Sequence, residues 1–289
     1  MPGKTRLVFV LSSLFVSLPL SAGYKFYGAS LEEAGWEAVS SPLRCILRHS
    51  IPEYGVVEFS HASKSPGMFF SVKVNLAPKK PANARLLSQP AEWQHFDKGK
   101  DLGDIPVVVS QTPFYLNNGW ARRLLAELEE GKMLRLTYQD WADGKDEINV
   151  RISSIDFHQA WGEFQVCQQG LLNYNFDDVR HSVFMFDVNQ TRLNADALRR
   201  LDQVSQYYKL DPAIRQIRID GYTDSKGFSR INIVVARRRA KAVRDYLVSK
   251  GIPAKKIKSV AHHEKEARFS NRTAAGRKKN RRVEVTLIR

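Results

Sequence analysis

The chain has 289 residues, enough for two domains of ordinary size, and 43% hydrophobic with 26% charged residues excludes a disordered polymer. The formal net charge is +15, yet residues 1–172 carry 18 Lys+Arg against 18 Asp+Glu, whereas residues 173–289 carry 27 against 12. The second part therefore holds the whole surplus, which marks a domain boundary and directs an anionic partner to that part alone.

Lys4 and Arg6 precede the apolar run Leu7 to Leu18, and Pro19-Leu20-Ser21-Ala22 follows with small residues. This order predicts a secretory signal over 1–22. The run is shorter than the roughly 20 residues of a spanning helix, and no cysteine near the cleavage point argues for a lipid anchor. Export places the chain in an oxidising compartment. There Cys45 and Cys167, the two cysteines, are a candidate disulfide, with two buried free thiols as the alternative.

The first domain, 23–172, reads as β-rich. Arg44 to Arg48, Tyr54 to Phe59 and Met68 to Leu76 place β-branched and aromatic residues between Gly, Pro and Ser breaks, which predicts antiparallel strands. Pro78 to Pro90 and Gly99 to Pro106 read as loops. A helix is predicted over Trp120 to Glu130, with Leu124, Leu125 and Leu128 on one side and Gly131 ending it. Strands over Met133 to Tyr138 and Glu147 to Ile155 follow, then a helical stretch, Phe157 to Leu172, that carries Cys167.

The second domain, 173–289, alternates strand and helix. Phe184 and Phe186 lie in a strand-like run, and Asn194 is a plausible N-cap for a helix with Leu198, Leu201, Val204 and Tyr208 on its apolar side. Ile217 and Ile219 alternate with Arg218 and Asp220, the pattern of a half-buried strand. A long helix is predicted from Ser229 or Arg230 to Lys250, closed by Gly251, with strands at Ile257 to Val260 and Val283 to Leu287. The fold class is α+β, with helices on one face of a sheet in this second domain.

Several chemistries find no support. No paired-carboxylate, Gly-x-Ser-x-Gly or phosphate-loop pattern is present, so no residue is a candidate for catalysis and no cofactor is implied. His262-His263-Glu264 lacks the ligand spacing of a zinc site and reads as a polar loop, leaving no metal site. Arg237-Arg238-Arg239 and Arg277-Lys278-Lys279 lack interleaved aromatics, and export excludes nucleic acid as their partner.

Gly221-Tyr222-Thr223-Asp224, Gly227, Asn232 and Arg239-Ala240, with Gly276 and Asn280-Arg281-Arg282-Val283-Glu284 near the end, resemble the signature of the OmpA-like peptidoglycan-binding family. Phe184, Phe186 and Leu193 sit where that family has its first strand and turn. Tyr222 in place of the frequent His and Val235-Ala236 in place of Leu-Ser depart from the pattern, and 261–275 lacks its usual Gly- and Pro-containing loop. The resemblance implies an α/β sandwich that grips the diaminopimelate of the wall's stem peptide, which presents an ammonium and a carboxylate on one stereocentre. Asp224 would accept from the ammonium and Arg239 would grip the carboxylate in bidentate fashion, with Thr223, Asn232 and Arg282 as helpers. Asn232 and Arg239 are seven apart and share a helix face, with the small Ala236 between them. On the residues alone, an ion pair between Asp224 and Arg239 stays open.

The first domain carries its own resemblance. Trp36-Glu37, Pro42-Leu43-Arg44-Cys45-Ile46-Leu47, His49, Ile51-Pro52, Tyr54-Gly55 and Glu58-Phe59 are similar to the MotY family of sodium-driven polar flagella. So are Leu125 to Gly131, Tyr138-Gln139-Asp140-Trp141, Cys167 and Leu171-Leu172-x-Tyr174-x-Phe176-x-Asp178. The resemblance implies a periplasmic, ring-forming T-ring subunit at the flagellar basal body, with MotX and the stator B subunit as partners and Cys45 paired with Cys167. An OmpA-like adaptor of another envelope complex is the competing expectation, and a wall hydrolase a weaker one.

Overall fold

The computed structural model describes residues 23–90, 99–142, 144–262 and 266–289. The predicted signal over 1–22, and His263 and Glu264, lie outside the described residues.

Strands β1 (Tyr24–Tyr27), β2 (Trp36–Ser41), β3 (Arg44–Ile51), β4 (Gly55–Ala62), β5 (Phe69–Val74), β6 (Ala82–Gln89), β7 (Lys100–Val107) and β8 (Phe114–Leu116) precede helix α1 (Asn118–Glu129). Strands β9 (Met133–Gln139) and β10 (Glu147–Ile152) and helix α2 (Phe157–Gln169) complete the first unit. The strands form two five-stranded sheets, ordered β1-β10-β9-β6-β7 and β2-β3-β4-β5-β8. Period-two alternation fixes which face each strand buries. On β3, Cys45, Leu47, His49 and Ile51 are inside and Arg44 and Ser50 outside. Phe59, Phe70 and Val72 of one sheet and Leu86, Leu134 and Val150 of the other share a single hydrophobic core.

Two segments expected as loops are largely strands. Ala82–Gln89 turns Ala84, Leu86 and Ser88 inward, an alternation hidden by small and polar residues. Lys100–Val107 contains Gly103 and Pro106, yet it is the edge strand of its sheet, where proline's missing donor costs no ladder bond. Its pairing with β6 shifts register between Leu86 and Leu87. Helix α1 begins two residues before its expected start because Asn117 caps it, accepting from the Gly119 and Trp120 amides at 3.1 and 3.4 Å. Trp141 lies in the turn after β9 rather than on a strand.

Cys45 on β3 and Cys167 on the last turn of α2 are joined by a disulfide, with Cα atoms 5.9 Å apart and a sequence separation of 122. The bridge stands beside the junction with the second unit. There the Leu172 amide donates to the Pro42 carbonyl at 2.9 Å, and Leu43 packs on the second core.

The second unit comprises α3 (Phe176–Arg180), β11 (His181–Met185), α4 (Ala195–Leu210), β12 (Gln216–Gly221), α5 (Ser229–Ser249), β13 (Ile257–Ala261), α6 (Ala274–Asn280) and β14 (Arg282–Ile288). Its sheet runs β11-β14-β12-β13, with β12 and β13 parallel and the other pairs antiparallel. Ile217, Ile219, Val283, Val285 and Leu287 form one buried cluster with Leu201 and Val204 of α4 and Val243 and Leu247 of α5. Asn194 caps α4 by accepting from the Ala197 amide at 2.8 Å. Glycine at 221 is obligatory, since a Cβ there would lie 2.5 Å from the Ala236 carbonyl oxygen. That close approach of β12 to α5 sets the distance between the loop after β12 and the helix. Among the described residues, no helix is long and apolar enough to cross a membrane.

Candidate functional site

Three chain segments converge beyond the ends of β11, β12 and α6. The loop after β12 carries Thr223 and Asp224, α5 carries Asn232 in its first turn and Arg239 at its middle, and Arg281 stands between α6 and β14. Thr223, Asp224 and Asn232 are buried, and Arg239 is only 1% exposed.

Asp224 turns one carboxylate oxygen to the Lys226 amide, at 3.1 Å, and the other to Arg281 Nη1, at 2.7 Å. Both partners of that ion pair are largely removed from water. Arg239 does not bond Asp224. Its Nε donates to the Gln190 carbonyl and its Nη2 to the Asp187 carbonyl, each at 2.9 Å, and its guanidinium lies 5.2 Å from the centre of the Phe186 ring. Arg281 Nε donates to the Phe186 carbonyl at 3.1 Å. The two arginines thus pin the loop that follows β11.

Arg239 Nη1 and Asn232 Nδ2 are buried with no hydrogen-bond partner. Burial, followed by the nearby positive charge of Arg281, lowers the Arg239 pKa to about 10, with Asp224 opposing. At neutral pH the group is still charged, so a cation stripped of water retains an unused Nη1 on the same helix as the unused Asn232 amide donor. Such an arrangement favours an incoming anion with two acceptor oxygens, which is what a carboxylate presents. The side of the fork formed by Nε and Nη2 is already taken by two carbonyls, leaving Nη1 for a ligand.

Arg282 makes other contacts, and its Nη1 is likewise buried without a hydrogen-bond partner. Its Nε donates to Glu284 at 2.7 Å and its guanidinium lies 4.0 Å from the centre of the Tyr222 ring. The expected helper Arg282 and the neighbouring Arg281 therefore occupy different environments, and Arg281 is the one the fold brings to Asp224. Sequence reasoning passed over Arg281 because two adjacent arginines match the same motif. Only the turn between α6 and β14 decides which reaches the loop.

Other motif residues serve the scaffold. Asn280, fully buried, accepts from the Phe269 amide at 3.0 Å and donates to the Phe269 carbonyl at 2.7 Å, fastening the loop before α6. His262 lies 2.8 Å from Asp220 and 2.6 Å from Glu266 and stacks on Tyr222. Among the described residues, no cluster of His, Cys, Asp or Glu could hold a metal ion.

Two family models match separate parts of the chain. The family model of the MotY N-terminal domain matches residues 27–173, and that of the OmpA family matches residues 185–281. The sodium-type flagellar protein MotY of Vibrio parahaemolyticus is 30% identical, over 97% of this chain and 97% of its own length. The peptidoglycan-binding protein ArfA of Mycobacterium tuberculosis is 41% identical over 87 residues, 30% of this chain and 26% of ArfA. Among solved structures, the peptidoglycan-associated lipoprotein of Burkholderia pseudomallei aligns at 27% identity and a TM-score of 0.35, covering 37% of this chain and 89% of that one.

Proposed function

This chain belongs to the MotY family, and on that premise we propose that it is a periplasmic structural subunit of the sodium-driven flagellar motor that fastens a T ring to peptidoglycan. The first unit assembles with MotX around the basal body and holds stator units in place. The OmpA-family unit grips the wall without covalent chemistry.

The observation that carries the wall-binding reading is the presence on α5 of two buried, unpartnered donors, Arg239 Nη1 and Asn232 Nδ2, with the buried Asp224 carboxylate close enough for its charge to act on Arg239. A diaminopimelate carboxylate satisfies the two donors while its ammonium competes with Arg281 for Asp224. Relatives named as peptidoglycan-binding support the ligand class. The uneven charge supports it too, since only the second unit meets an anionic polymer.

A stator pushes back against its anchor, so a ring subunit requires both a protein interface and a wall grip. Deletion of the gene should abolish swimming, and wild-type protein should restore it. Protein with Asp224→Ala, exported and folded, should restore it poorly. Full swimming with that variant would contradict the wall grip, and normal swimming without the protein would contradict the motor role.

A further inference from the structure

A second site lies in the first unit, away from the wall-binding residues. Where the two sheets meet, Tyr27 of β1, Tyr54 of the β3–β4 turn, Tyr138 of β9 and Trp141 of the following turn line a cavity of about 170 Å³. Tyr138 and Trp141 are stacked with ring centres 4.5 Å apart, and Tyr27 and Tyr54 are tilted at 5.3 Å. Aromatic faces therefore form much of its wall, and Leu76, 65% exposed, extends the apolar surface at the lip.

Trp141 Nε1 is buried without a partner. The Tyr54 and Tyr138 hydroxyls meet at 3.1 Å, which uses one of their two protons and leaves the other without an acceptor among the described residues. Two carboxylates beside the cavity are already engaged. Asp140 receives Lys25 Nζ at 2.6 Å and the Ala142 amide at 2.8 Å, and Asp146 receives Lys25 as well at 3.2 Å. Glu53 stands exposed to water. Two donors are therefore unmet, and Lys25 is already matched by carboxylates.

We propose that this cavity is a docking site for a proline of an extended partner segment in the polyproline II conformation. A prolyl peptide unit supplies a carbonyl acceptor to the unmet donors and brings no N–H that would need an acceptor in return. Its flat ring packs on aromatic faces, and its preset backbone loses little entropy on docking into an aromatic-lined groove. A helix does not fit a cavity of this size.

The test uses the full-length oxidised protein and follows the assigned Trp141 indole N–H signal, one of five tryptophans in the chain, by proton–nitrogen correlation spectroscopy. Acetylated hexaproline amide is the probe. The signal should move downfield and saturate, and Tyr54→Phe, which removes a hydroxyl but keeps the ring, should weaken binding about three- to ten-fold. A hexa-alanine peptide and tetramethylammonium should leave the signal in place. The proposal is overturned if millimolar hexaproline does not move it, or if either control moves it as far.

Discussion

Arg239 gives up its water on burial and recovers hydrogen bonds on one side only, from the Asp187 and Gln190 carbonyls. Substitution there removes the proposed ligand contact and a loop anchor together, so Arg239→Ala should lower both affinity and melting temperature. Arg239→Lys fails as well, because one ammonium cannot hold both carbonyls and a carboxylate. Asn232 separates the two effects. Its Nδ2 is orphaned in the free protein, so Asn232→Ala removes an unmet donor and leaves the melting temperature within a degree or two, as estimated from a near-zero net bond energy of about 0–0.5 kcal/mol. Wall affinity should fall about three- to ten-fold with the lost bond. Equilibrium binding and thermal melts on the same preparation check both halves. His49 shows the opposite use of a motif residue. It is fully buried, its Nδ1 meets the Gly35 carbonyl at 2.8 Å, and its ring stacks on Trp36. Burial lowers its pKa. The unfolded chain takes up this proton near the ordinary value of about 6.5, so the unfolded state binds more protons below that pH. Stability from His49 is therefore present above about pH 6.5 and is lost as pH falls toward its folded pKa. Its imidazole signals in magnetic resonance spectra should still report the neutral ring at pH 6; titration midway at 6.5 would contradict the burial argument. Asp224 and Arg239 were legible as candidates because they lie inside a spaced motif. The Asp224–Arg281 pair was not, since residues 57 apart in sequence meet only through the fold.

At the scale of elements, strong periodicity was legible and weak periodicity was not. The helices α1, α2, α4 and α5 lie within a few residues of their expected spans, because their apolar positions recur at helical spacing and Asn194 and Gly251 punctuate them. Strands β6 and β7 escaped because Ser88, Asp101 and Asp104 dilute the alternation and Gly103 and Pro106 imitate a loop. Tertiary pairing with β9 and the tolerance of an edge strand decide those segments instead. The disulfide is the strongest single tie between elements, holding β3 to α2 across 122 residues of chain. A chain-entropy estimate puts its contribution at about 4–5 kcal/mol, an upper figure. Cys45→Ser should therefore lower the melting transition of the first unit markedly. Wall binding by the second unit should be retained at temperatures where it stays folded, since its core is built from separate residues. Calorimetry with and without reductant, paired with wall binding of Cys45→Ser at low temperature, gives the comparison. Equal loss of both properties would show that the second unit depends on the bridge.

For the whole molecule, the two cores are joined by a short, well-bonded junction. Leu172 donates to Pro42, Leu43 reaches into the second core, and Lys64 pairs with Asp178 at 2.5 Å. Force applied to one unit therefore passes through packed and hydrogen-bonded contacts, not through a slack linker. The charge imbalance was readable from sequence, and it separates two ways of meeting the wall. A diffuse basic surface binds a polyanion weakly and loses it as salt rises, because exposed charges are screened over about 8–10 Å at physiological ionic strength. A buried carboxylate with matched donors is screened far less and distinguishes a zwitterion from a simple anion. Co-sedimentation of the full-length protein with purified sacculi, in moderate salt and with free diaminopimelate as competitor, separates the two most directly. Wild-type protein should pellet with the sacculi and be released by diaminopimelate, and folded Asp224→Ala should bind about one to two powers of ten more weakly, as loss of a charge-assisted contact requires. Equal pelleting of wild type and folded Asp224→Ala, indifferent to diaminopimelate and abolished by added salt, would contradict the assignment of this site.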